Sequence, residues 1–199
     1  MSIIYNFDHK KVIKTTTGHV LILFNCDENF IRSEGPKATM NTQQKIEYYK
    51  KTLANLKKLE SLLNFQIIQE HEKSRLIEIH CKYYPHKLTD IFNESNISEF
   101  GQKLIELWKD LLENGFVTED FVFRNIMLDK RYNLHWIDFD SFRKIEKSDI
   151  EEAKRRNLLC FIYNDLKGFS EFGGMEIYNR LECITYSTIK KTIEEKRIK

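Results

Sequence analysis

Apolar and polar positions alternate along this chain in two rhythms, one of period two and one of three to four residues. Over the first forty residues a period-two alternation rich in β-branched side chains predicts three short strands, "KKVIKTTT", "HVLILFN" and "NFIRSE". Turns are expected at Thr17-Gly18 and at Asp27-Glu28-Asn29. After the loop "EGPKATMNT", Thr42 is the expected cap of a helix over 43–63. There Ile46, Tyr49, Leu53, Leu56, Leu59 and Leu63 recur at steps that put them on one face. Period two returns in "FQIIQEH" and "RLIEIHCKYY", and Tyr84-Pro85-His86 ends the second strand. Residues 97–114 predict a second amphipathic helix, stopped by Gly115. "NIMLD" and "LHWIDFD" then predict a hairpin about the turn Lys130-Arg131-Tyr132-Asn133, followed by helices near 149–167 and 175–196. Strands, helix, strands, then mostly helices is an α+β order, with a sheet-rich part at 1–83 and a helical part at 84–199.

Composition narrows the function classes. The 199 residues are 41% apolar and 31% charged, which gives a globular chain with material for a real core. A net charge of +2, with acids interleaved among the lysines, describes a solvated surface, and no nucleic-acid partner is expected. Cys26, Cys81, Cys160 and Cys183 stand far apart, without zinc-ligand spacing, and read as free thiols. Neither a secretory h-region nor a membrane-length apolar run is present, so a cytoplasmic location and no transmembrane segment are expected. The tail "KKTIEEKRIK" reads as a solvated helix end, with peripheral membrane contact as a lesser alternative. Oligomeric state is not legible.

One stretch breaks the binary pattern. In "TEDFVFRNIMLDKRYNLHWIDFDSF", residues 118–142, Asp120, Asn125 and Asp138 interrupt an otherwise apolar run. Singly, each reads as a cap or a turn residue. Together they describe a possible site, because a hairpin of "NIMLD" with "LHWID" brings Asn125 and Asp138 to one end, and Asp120 sits in the loop before it. An amide oxygen and a carboxylate suit a hard cation, and a second carboxylate suits a hydroxyl. Phosphoryl transfer needs those parts. Met127 and Trp136 read as core, and His135 as solvent-facing or hydrogen-bonded rather than catalytic.

The step from Asp120 to Asn125, followed by "DFD", resembles the H-R-D-L-x-x-x-N and D-F-G motifs of the protein-kinase-like superfamily. The phrase "KLIELWKDLLENGFVTEDFVFRNIMLD", with "IEYYKKT" upstream, resembles the YrbL-like family of PhoP regulatory network proteins. These are small bacterial proteins with a kinase-like fold; short bacterial kinases of lipopolysaccharide core sugars are the next nearest. The resemblance spans roughly residues 12–165, and its specific part is 118–140. It implies a compact bilobal fold, with a small N-terminal sheet carrying one long helix and a truncated, mostly helical C-terminal lobe. It further implies ATP and Mg2+ as cofactors, with Asp120 orienting an acceptor hydroxyl and Asn125 and Asp138 holding the metal. For the nucleotide it implies Gly18 in the phosphate-covering turn Thr15 to Gly18, Arg32 as the strand cation (or Lys37 in a shifted alignment), and Glu47 on the helix. His80 to Lys82 would form the hinge that meets adenine.

The departures shape the expected activity. Arg32 replaces the strand lysine, and a planar fork does not substitute for an ammonium without rearrangement. Gly18 alone stands for a glycine-rich loop. Thr118-Glu119 replaces His-Arg, removing the arginine that would answer an activation-loop phosphate, and Asp140 replaces the D-F-G glycine, adding a carboxylate near the metal. No A-P-E segment follows, so a small-molecule or sugar hydroxyl fits better than a protein acceptor. Two further readings stay open: a pseudokinase or regulatory binding module, and an unrelated α+β scaffold.

Overall fold

The computed structural model describes residues 2–7, 10–25, 40–60, 63, 65–71 and 76–197. The expected strand "NFIRSE", with Arg32 and Lys37, lies outside them, as does the side chain of Asp140. The chain divides into two compact units, Met1–Tyr83 and Tyr84–Lys199.

The first unit is a five-stranded antiparallel sheet with one long helix. Its strands are β1 (Ser2–Phe7), β2 (Lys10–Lys14), β3 (His19–Asn25), β4 (Phe65–His71) and β5 (Leu76–Lys82), in the order β1-β2-β3-β5-β4. β1 was not among the expected strands. "SIIYNF" pairs along β2 with a bulge between Ile3 and Tyr5, and its β-branched and aromatic residues suit a pleated edge. Helix α1 runs Thr42–Leu59 and ends four residues earlier than its periodicity predicts, with Lys57 and Lys58 in its last turn. Its cap is Asn41 rather than Thr42. Asn41 Oδ1 accepts from the Gln44 N–H at 3.0 Å, and Gln44 Oε1 accepts from the Asn41 N–H at 2.9 Å. That reciprocal box needs a Gln or Glu three residues after the cap; Asn41 has Gln44 there, whereas Thr42 would have Lys45.

The second unit holds β6 (His86–Lys87), α2 (Leu88–Ile91), α3 (Ile97–Glu113), β7 (Phe116–Thr118), β8 (Ile126–Leu128), β9 (Leu134–Trp136) and β10 (Phe142–Lys144). Helices α4 (Asp149–Lys154), α5 (Cys160–Lys167) and α6 (Gly174–Arg197) complete it. Its two small sheets are β6-β8-β9 and β10-β7. The single helix expected over 149–167 is broken: Arg156 takes a left-handed φ of 64°, and a tight turn follows at Asn157–Leu159. An unbroken helix beyond buried Ala153 would turn Arg156 and Asn157 inward. The break leaves both exposed and buries Leu158 and Leu159 instead.

α3 is the unit's central helix, burying Phe100, Leu104, Ile105, Trp108 and Leu111 on one stripe. The Trp108 indole N–H donates to Thr185 Oγ1 of α6 at 2.8 Å, and its ring stacks on Phe121 at 4.6 Å. Trp136 meets both rings edge-on, at 6.5 and 5.2 Å. This aromatic layer lies directly beneath the loop that begins at Asp120. Where α3 meets α6, Gly101 has no room for a side chain: a Cβ there would run into Ile177 Cδ1 and sit 2.7 Å from its Cγ1. Gly101→Ala should therefore cost about 1–3 kcal/mol in denaturant titrations. The double variant Gly101→Ala/Ile177→Ala should cost clearly less than the two single losses added, because the second change removes the clash. Simple additivity would refute this packing. No helix of the described residues is long and apolar enough to cross a membrane.

Candidate active site

A left-handed Gly115 (φ 84°) ends α3 and sends the chain into β7. β7 pairs with β10, Thr118 opposite Phe142 and Val117 opposite Arg143. Thr118 is fully buried, shares a 2.7 Å hydrogen bond with the Ser141 hydroxyl, and accepts from the Asp120 N–H at 3.2 Å. The Asp120 side chain thus leaves a fixed point while Phe121 anchors the next residue in the aromatic layer.

Asp120 and Asn125 are in direct contact. Asn125, itself buried, donates from Nδ2 to the Asp120 backbone carbonyl at 3.0 Å and to Asp120 Oδ2 at 2.9 Å. With both amide hydrogens committed to Asp120, Oδ1 is the end of the amide left to face a ligand. The exposed Arg124 reaches Asp120 Oδ1 at 3.1 Å. A tight turn over Phe123–Asn125 sets this spacing. It is held from α5, where Asp165 Oδ2 accepts the Phe123 N–H at 2.7 Å. Burial raises the Asp165 carboxyl above its usual value, against the Phe123 N–H and Arg124, which lower it.

Beyond the turn, β8 and β9 form the hairpin, pairing Ile126 with Trp136 and Leu128 with Leu134. The Ile137 N–H donates to the Asn125 carbonyl at 3.1 Å and lengthens the ladder by one bond. Asp138 is the next residue, half-buried, at the head of a turn over Phe139–Ser141. Among the described residues no three His, Cys, Asp or Glu side chains gather as a metal cluster. A cation here would be held by the Asn125 amide oxygen and the Asp138 carboxylate. Such a sparse set of hard oxygen donors fits Mg2+, which keeps waters and takes phosphate oxygens.

Arg143 on β10 joins three segments. Its Nε donates to Glu119 Oε1 at 2.8 Å, and its two Nη atoms donate to the two oxygens of Asp149 at 2.9 and 2.8 Å. Asp149 has no exposed side-chain surface and also accepts the Glu146 N–H at 2.7 Å. Burial alone would lower the Arg143 pKa, but the two carboxylates hold it above its ordinary value. His135 has a partner as well: Nε2 lies 3.4 Å from Asp129 Oδ2, and the ring stacks on Tyr84 at 4.1 Å.

In the first unit, Gly18 has φ +77° in the β2–β3 turn, and a side chain there would meet only open space. The Gly18 carbonyl accepts the Tyr83 N–H at 3.2 Å, and Lys82 lies opposite His19. The rings of His19 and His80 are 4.8 Å apart, so Gly18, His80 and Lys82 share one end of the sheet. His80 and Cys81 have strand neighbours on both sides, β3 and β4. Their backbone groups therefore serve the ladders. Glu47 is exposed on α1 and accepts from Gln43 Nε2 at 3.2 Å.

Asp165, Arg143 and Asp149 were not singled out from the sequence. Asp165 left a trace: it follows Ile162 by three residues and precedes Leu166, so it borders the buried stripe of its helix. Arg143 and Asp149 sit among alternating charges that read as surface.

No protein-family model matches the chain, and no curated protein matches it in sequence. Solved structures do match in three dimensions. A crystal structure of WbdD aligns with a TM-score of 0.52 at 16% identity, over 96% of this chain and 45% of that one. WbdD described as a bifunctional kinase-methyltransferase aligns with a TM-score of 0.50 at 16% identity, over 94% and 43%. WbdD with a kinase inhibitor aligns with a TM-score of 0.50 at 14% identity, over 95% and 44%. The chain thus spans less than half the length of these proteins. At such identities the likeness is one of fold, and the fold of this chain is α+β and kinase-like, shared with part of the kinase-methyltransferase WbdD.

Proposed function

We propose that this chain is a Mg-ATP-dependent phosphotransferase of the kinase-like superfamily, acting on the hydroxyl of a sugar or other small molecule in the cytoplasm. The observation that carries the reading is the Asn125 amide, whose two hydrogens are committed to Asp120. That contact sets an acceptor-orienting carboxylate beside a metal-facing oxygen. Mg-ATP, when bound, supplies the phosphoryl group and neutralises the charge that develops on it. Asn125 Oδ1 and the Asp138 carboxylate hold the metal, and Asp120 accepts the proton of the attacking hydroxyl and aims it. In this reading 1–83 corresponds to the N-lobe, whose nucleotide-binding residues would be Gly18, Arg32 or Lys37, Glu47, His80 and Lys82. Residues 84–199 correspond to a reduced C-lobe, with Asp140 as a further acidic residue of the D-F-D motif. The description of WbdD as a kinase, and its crystals with a kinase inhibitor, support nucleotide use. The YrbL-like motif phrase supports a small bacterial member of the superfamily.

A second reading has its own observation. Arg124 Nη2 lies 3.1 and 3.4 Å from the two oxygens of Asp120, which occupies the carboxylate as a binding module without transfer would. Because Arg124 is exposed, a hydroxyl can displace it at little cost.

Thermal-shift titrations with ATP and Mg2+, separately and together, test nucleotide use. At a hundred times its Kd, Mg-ATP should add about 2.7 kcal/mol. Asp138→Asn should abolish that gain and leave the ligand-free protein folded, since the amide keeps the shape of the carboxylate and removes the charge that would hold the cation. A large loss of ligand-free stability would instead mark Asp138 as a structural cap.

A further inference from the structure

Resting on that reading, we propose that Arg143 is a positioning residue that ties the loop carrying Asp120 to the turn carrying Asp138, through a carboxylate that the chain itself supplies at Glu119.

Glu119 immediately precedes Asp120, and Arg143 follows Asp138 by five residues. The β7–β10 ladder joins the two segments only as far as Thr118, opposite Phe142. Beyond it the backbone link is a single long bond, from the Glu119 N–H to the Ser141 carbonyl at 3.5 Å. The Arg143–Glu119 pair at 2.8 Å therefore lies just where the ladder ends and the functional loop begins. Most surface ion pairs are weak because two flexible side chains must be ordered to form them. Here one partner is already ordered. Asp149, fully buried, grips two arms of the guanidinium and leaves Nε pointing at Glu119. A carboxylate meeting a clamped donor takes a fixed place, and the backbone of the next residue, Asp120, is fixed with it. Thr118 and Ser141 brace the same junction from inside at 2.7 Å. With the acid in the loop and the arginine downstream, both halves of this contact come from the chain itself.

The test compares Glu119→Ala, which removes the contact, with Glu119→Gln, which keeps an oxygen able to accept from Nε. Because Glu119 is exposed, both variants should fold with the parent's thermal midpoint. In Glu119→Ala, amide exchange should accelerate together over 118–125 and 138–144, with no ligand present. Its slow Mg-dependent ATP hydrolysis should fall on the order of ten- to a hundredfold in kcat, with the KM for ATP unchanged. Glu119→Gln should stay near the parent in both measurements. Parent-like exchange in Glu119→Ala overturns the link. Equal losses in the Gln and Ala variants also overturn it, since charge rather than placement would then be responsible. A parent that neither binds nor hydrolyses Mg-ATP defeats the proposed function instead, and the exchange comparison still decides the link.

Discussion

Arg143→Met is expected to cost about 3–5 kcal/mol of folding stability, a large share of what a single domain has. The reason lies with the partner left behind. Asp149 has no solvent-exposed side-chain surface and takes two of its three hydrogen bonds from the Arg143 fork. Without them it keeps only the Glu146 N–H, and an ionised carboxylate stays in the interior without a counter-charge. What is lost is the compensation for having buried it, not the worth of one ion pair. The double variant Arg143→Met/Asp149→Leu should recover most of the loss, because the stranded charge goes too. Urea or guanidinium titrations read both numbers. A single variant within about 1 kcal/mol of the parent would mean that water reaches Asp149 and that it is not held as described.

Asp120→Ala should reduce turnover by about 10²–10⁴, the range usual for losing a positioned acid-base group. Its Mg-ATP thermal shift should match the parent's. Asn125 donates to the Asp120 backbone carbonyl at 3.0 Å as well as to the carboxylate. The alanine variant keeps that first bond, so the amide oxygen keeps its direction. ATP hydrolysis without acceptor is the simplest readout, water standing in for the hydroxyl. In a binding module the substitution would be silent in every functional assay, and that outcome would favour the second reading.

Much of the fold was legible because it follows from periodicity. α3 announced itself by an apolar stripe from Ile97 to Leu112 and a stop at Gly115. The β8–β9 hairpin followed from two short apolar runs about a polar turn, in which Asp129 accepts the Arg131 and Asn133 N–H groups. Local chemistry outside the pattern was read less well. Asn41 outcompetes Thr42 as the cap through its side-chain partner Gln44, and the break at Arg156 answers a tertiary demand to bury Leu158 and Leu159. At the candidate site, the spacing of Asp120, Asn125 and Asp138 stood out because polar residues among apolar ones are costly without a reason. Their supports did not stand out. Asp165 reaches Phe123 across 42 positions and Arg143 reaches Glu119 across 24, and no local pattern encodes which distant N–H or carboxylate a side chain will meet. Arg32 and Lys37 fall outside the described residues.

The bond from the Phe123 N–H to Asp165 has a consequence for how the protein comes into being on the ribosome. The two residues are 42 positions apart, and Trp108 and Thr185, which lock the central helix, are 77 apart. At roughly 5–20 residues per second, Asp165 is synthesised about one to five seconds after Asp138, which follows the hairpin. The β8–β9 hairpin needs only microseconds to close once it is free. For those seconds a nascent chain carries Asp120, Asn125 and Asp138 about a hairpin whose loop lacks its anchor from α5. Chains arrested before α5 should therefore gain nothing from Mg-ATP, whereas chains released with α5 and α6 should. Shaping of the loop is a late event in the life of this polypeptide.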